Sequence, residues 1–166
     1  GIEFYAGRPR DRWRFDDDGH VQMATQPLDL DSLIKELPRG NQDRLVAFPE
    51  KTKIGHIHLK VTDLKRSLNF YAGLLGFELI SDWESAAFVS VAGYHHHIGM
   101  NTWESLGGPG LSEGSMGLEH FTIHVTSVDF VHELADRLQG TPFSQSHEFD
   151  QLMVRDPDGI RLLVMA

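Results

Sequence analysis

Between Gly55 and Val61, apolar and polar positions alternate with period two. Ile57, Leu59 and Val61 fall on one face, and His56, His58 and Lys60 on the other. This pattern predicts a half-buried strand. Thr62 or Asp63 can cap a following helix that carries Leu64, Leu68, Tyr71 and Leu75 on one side and ends near Gly76. Three more strands are predicted, over Phe77 to Trp83, Ala86 to Val91 and His95 to Met100. The order is β-α-β-β-β.

The same order then returns. Leu118 to Val125 alternates, with Phe121, Ile123 and Val125 opposite His120, Thr122 and His124. Ser127 can cap a helix bearing Val128, Val131, Leu134 and Leu138, closed by Gly140. Strands follow around Phe143–Phe149, Gln151–Val154 and Ile160–Met165. The offset is constant: 120−56, 125−61 and 126−62 all equal 64, pairing His with His, Val with Val and Thr with Thr. Internal repetition of this kind is a statement about architecture. It predicts an α+β fold in which paired βαβββ units form a curved mixed sheet around a cleft. Unit one spans 53–103 and unit two 118–166.

Before residue 53 the pattern is different. Residues 6–52 are rich in charge, Pro and Gly and read as a linker, with one short helix opening near Leu28 to Ile34 and capped by Asp29 or Asp31. A chain of 166 residues fits one domain plus such an appendage. Its net charge of −9 argues against nucleic acid as a partner. No apolar run approaches the roughly 20 residues of a membrane-spanning helix, so no membrane partner is expected. The absence of cysteine excludes disulfides and thiolate metal sites and fits a cytoplasmic protein.

The chemistry lies in the histidines, of which there are 10. Imidazole is the commonest metal ligand and titrates near neutrality. His95, His96 and His97 are consecutive, but adjacent strand residues point to opposite faces. On a strand they could not all serve one ion, so other ligands must lie elsewhere, and one or two of the three should face the cleft. His58 and His124 read as satisfied polar strand residues, and His20, His132 and His147 as surface residues. The Gly107-Gly108-Pro109-Gly110 stretch lacks the Gly-Lys-Ser/Thr ending of a phosphate loop and reads as a connector. Asp156-Pro157-Asp158-Gly159 is a turn launching the last strand.

Several stretches together resemble the vicinal oxygen chelate superfamily of glyoxalases, bleomycin-resistance proteins and extradiol dioxygenases. They are Ile54-Gly55-His56-Ile57-His58-Leu59, Asn69-Phe70-Tyr71, Leu75-Gly76-Phe77 and Asp156-Pro157-Asp158-Gly159. The run from Gly93 to Trp103 is similar to the C-terminal part of two-domain catechol 2,3-dioxygenase-like proteins. The resemblance implies that Gly1-Ile2-Glu3-Phe4-Tyr5 is the last strand of a preceding, absent domain. Residues 1–5 then belong to that domain, 6–52 to an interdomain linker and 53–166 to the chelate domain. It implies metal ligation by His56, Glu3 and His120, and acid–base work by His96 with His95 and His97 beside it.

The activity so implied is Fe(II)-dependent extradiol cleavage of a small aromatic diol by dioxygen, with another divalent metal as the variant on the cofactor. Two His and one carboxylate on one face of Fe(II) leave positions for both reactants. Within residues 53–166 that triad is incomplete, because Ile160 to Met165 contains no carboxylate. Glu3 and His56 would complete it if their two units pair, with a further His upstream. The expected partners are the missing N-terminal domain and, through exposed cleft edges, a second copy of the chain. The alternatives are a metal-dependent glyoxalase-type lyase or isomerase, and a metal-free small-molecule-binding domain.

Overall fold

The computed structural model describes residues 9–19, 21–22, 27–35, 50–110, 112 and 114–166. The chain divides into two compact units, Gly1–Gly55 and His56–Ala166. In the first, a 3-10 turn spans Arg10–Arg12, Phe15 and Val21 form an isolated bridge, and helix α1 covers Leu30–Lys35. Asp29 caps α1 as the sequence predicts, accepting from the Ser32 backbone N–H at 3.0 Å. Among the described residues no helix is long and apolar enough to cross a membrane.

The second unit contains the predicted repeat. Its first half is β1 (Ile57–Lys60), α2 (Leu64–Leu68), a π-helical segment Asn69–Leu74, β2 (Glu78–Trp83), β3 (Ala86–Ser90) and β4 (Ile98–Asn101). Its second half is β5 (Phe121–His124), α3 (Val128–Leu138), β6 (Ser144–Glu148), β7 (Gln151–Arg155) and β8 (Arg161–Met165). The sheets have matching orders, β1-β4-β3-β2 and β5-β8-β7-β6. In each, the first and last strands of the module pair in parallel and the others antiparallel.

Local chemistry sets these boundaries. The Asp63 carboxylate accepts from the Arg66 N–H at 3.0 Å, and Ser127 Oγ from the Phe130 N–H at 3.2 Å. Both helices stop where glycine takes up the left-handed conformation, Gly76 at φ +88° and Gly140 at φ +76°. These caps also lie 64 residues apart. The first helix departs from the simple expectation by widening into the π segment, which places Phe70 and Tyr71 consecutively in the core. Several strands start later than the alternation suggests, β4 and β5 among them. The segment before β4 turns at Ala92 (φ 54°) and Gly93 (φ 63°), so His95 to His97 precede the strand. His120 likewise lies just before β5.

One core joins the two modules. Leu59, Val61, Phe70 and Tyr71 of the first belong to the same buried cluster as Val131, Leu134, Leu152 and Leu162 of the second. Polar bonds cross the same boundary. Asp158, 3% exposed, accepts from the Thr62 N–H and hydroxyl, from Arg66 Nη2 at 2.8 Å and from Ser67 Oγ. Asp156, equally buried, accepts from the Tyr71 hydroxyl at 2.9 Å and from the N–H groups of Asp158 and Ile160. The DPDG turn is therefore a turn, as expected, and also the polar joint between the repeats.

Asp158→Ala should destabilise the protein by about 2–4 kcal/mol, because it strands several donors at a buried boundary; chemical denaturation measures this. Asp156 behaves differently. Burial, the largest cause, pushes its carboxyl above the usual aspartate value of 3.8. Its contribution is thus full below that value and is lost as pH rises through the folded-state pKa. Asp156→Asn keeps an oxygen for the two N–H donors, so its Tm relative to wild type should climb as pH rises through the carboxylate range.

Candidate metal centre

Strand β1 turns Leu59 into the core and leaves His58 on the opposite, open face of its sheet. His56, just before the strand, has the same parity and lies beside it, with ring centroids 5.2 Å apart. Register places Gly99 of β4 next to His58, and Phe88 of β3 next to Gly99. The segment leading into β4 brings His96 over this patch. Its ring lies 4.3 Å from that of His56 and 5.3 Å from that of His58.

One ligand atom from each of His56, His58 and His96 can be chosen so that all lie within 4.8 Å of one another. His96 Nε2 and His58 Nε2 are 3.3 Å apart. Two nitrogens bound about 2.0–2.1 Å from one ion stand roughly 3.0–3.4 Å apart. The His96 Nδ1 atom is buried and has no hydrogen-bond partner among the described residues. This donor set fits a divalent metal, because the three imidazoles converge and two of their nitrogens already stand at such a spacing. Neutral imidazoles suit zinc, copper, iron and nickel alike.

The surroundings favour the neutral form. Burial first, then the neighbouring His56, His95, His58 and His97, push His96 down to about 3. His95 is lowered too, by burial and then by His56 and His97. Its ring lies 5.5 Å from that of His56 and 4.5 Å from that of His96. His97 is engaged elsewhere: its Nδ1 is 2.8 Å from Ser90 Oγ and accepts from the Val91 N–H at 3.3 Å. Phe88 packs edge-on to His96 at 5.1 Å and to Trp83 at 5.1 Å, giving the group an aromatic wall.

Of the residues singled out from sequence, His56 and His96 enter the group and His95 borders it. Glu3 lies outside the described residues. His120 is exposed and is not part of the group. His58 is the member that sequence reasoning set aside. Its signal was present in the His-x-His spacing, which puts both imidazoles on the polar face of one strand. The premise that His95 to His97 alternate as strand residues does not hold, because the turn at Ala92-Gly93 leaves them outside β4. His95 and His96 lie together beside His56, and His97 turns to Ser90.

A histidine with a depressed folded-state pKa contributes stability that is full above its unfolded value, about 6.5, and is lost as pH falls. Acidifying the metal-free protein from pH 7 towards 4 should therefore lower its Tm, in part through His96. In His96→Gln the acid-induced fall should be shallower, as read from melting curves across that range. Parallel curves for the two proteins would contradict the assignment.

Residues 53–164 match the family model of the Glyoxalase/Bleomycin resistance protein/Dioxygenase superfamily. A catechol-2,3-dioxygenase of Bacillus subtilis (strain 168) is 36% identical over 159 residues, covering 95% of this chain and 55% of that protein. The chain thus spans about half the length of this curated relative. Among solved structures, a lactoylglutathione lyase from Agrobacterium tumefaciens superposes with a TM-score of 0.54 at 16% identity, over 70% of this chain and 95% of that one. A glyoxylase/bleomycin resistance protein/dioxygenase domain from Frankia sp. EAN1pec gives 0.55 at 25% identity, over 69% and 90%. Fold, repeat and family model agree, and the chain belongs to the glyoxalase/bleomycin resistance protein/dioxygenase superfamily.

Proposed function

We propose that this chain forms part of a ring-cleaving extradiol dioxygenase that uses Fe(II) and acts on a catechol or hydroquinone-like ring. The observation that carries the proposal is the convergence of His56, His58 and His96, in a chain 36% identical to a catechol-2,3-dioxygenase. These imidazoles would hold the metal. Glu3 is proposed as a further, carboxylate ligand, since non-haem Fe(II) oxygenases combine imidazoles with one such group. Exposed and apart from the group, His120 receives no metal role. When bound, the metal would hold the diol oxygens beside dioxygen and pass charge between them.

The chain's own residues divide the remaining work. His95 borders the group and is kept neutral by burial, so it can accept a proton from a diol hydroxyl. With His96 drawn into the metal group, the acid–base role passes to this neighbour. The aromatic edge of Phe88 and Trp83 offers an apolar surface to the face of a substrate ring. His97, tied to Ser90, steadies the segment that carries His96.

After anaerobic loading with Fe(II), the protein should retain iron and consume dioxygen in proportion to added catechol. His56→Ala and His58→Ala should each weaken iron retention at least tenfold, in line with the sensitivity of metal sites to their supporting residues. Elemental analysis and an oxygen electrode provide both readouts. Zinc or nickel retained with no oxygen uptake would favour a glyoxalase-type lyase or isomerase. A protein that holds no metal would favour a small-molecule-binding domain.

A further inference from the structure

Gly99 lies in the middle of β4, paired with His58 on one side and Phe88 on the other, and is buried. A glycine inside a strand weakens it and commonly marks a close approach by another group. Gly99 is not among the residues of positive φ, so backbone conformation does not require glycine here. Space does. A Cβ at Gly99 would stand 3.0 Å from His58 Cε1, 3.1 Å from Nδ1 and 3.3 Å from Nε2. The imidazole therefore lies flat across the bare backbone of β4, with its Nε2 directed to His96.

We propose that Gly99 is a positioning residue: the missing side chain is the seat that holds the His58 imidazole inside the metal group. This rests on the reading of His56, His58 and His96 as ligands. Filling the seat with one methyl group lifts the ring and moves Nε2 away from its partners. The clash falls on the outer end of an exposed side chain, which can swing into solvent. Folding should therefore survive a change that the metal site does not.

The test is Co(II) titration of the 166-residue chain, followed by visible absorption, in wild type, Gly99→Ala, His58→Ala and the double variant. Gly99→Ala should bind Co(II) 10- to 100-fold more weakly, the range seen when supporting groups around a metal are removed. The double variant should bind no more weakly than His58→Ala, because the seat has no purpose once the ring is gone. In the metal-free protein, the 15N spectrum of the histidine rings should show His58 shifted by Gly99→Ala and His56 little changed. If Gly99→Ala alone does not fold, folding of the double variant still identifies the ring as the clashing group. Failure of both to fold would assign Gly99 to the backbone and overturn the proposal. Wild-type Co(II) affinity in Gly99→Ala, with affinity lost in His58→Ala, overturns the proposal and leaves the metal group standing. Undiminished affinity in His58→Ala removes His58 from the metal group and the proposal with it.

Discussion

The second unit of the chain depends on a pair of buried carboxylates in one turn. Asp158 gathers donors from Thr62, Arg66 and Ser67, at the end of β1 and the start of α2, although it belongs to the other repeat. Asp156 does the same for Tyr71 while closing its own turn. Buried carboxylates are costly unless their lone pairs are filled. Here the donors that fill them come from both modules. The joint therefore fixes β1, and with it His56 and His58, relative to the sheet that follows.

The shared core does the rest of the positioning. Phe70 and Tyr71 are both buried because the first helix widens into a π segment, and Phe70 meets Phe143 of the second module at 5.1 Å. Arg137 of α3 donates to the Leu74 carbonyl at the end of that segment, capping one repeat with a side chain from the other. With the inner faces committed to this core, the polar face of β1 is left open. Three imidazoles collect there, beside Phe88 and above Gly99.

That arrangement departs from regular alternation in a useful way. His58 belongs to a strand and obeys its parity. His96 comes from an irregular segment that obeys none, because a left-handed pair at Ala92-Gly93 turns the chain ahead of β4. A strand through His95 to His97 would have sent neighbouring rings to opposite sides of the sheet. The turn allows His95 and His96 to lie near His56 while His97 turns to Ser90. Burial, and after it the neighbouring imidazoles, favours the neutral form of His95 and His96, the form in which an imidazole can act as a ligand.

The repeat, its caps and the polar face of β1 are legible along the chain alone. The 64-residue offset, Asp63 and Ser127 at the helix starts, Gly76 and Gly140 at the ends, and alternation from Gly55 to Val61 are local patterns, and local patterns survive in one dimension. His56 and His96 were also legible as candidates for chemistry. Folding is what brings His58 to them, leaves His120 outside the group, and sets Asp156 and Asp158 between the modules. Each of those facts depends on which strands lie side by side and on how much room a neighbour leaves. Gly99 shows the reason plainly: its missing side chain leaves room over β4, and no residue type in a linear sequence records which ring will fill it.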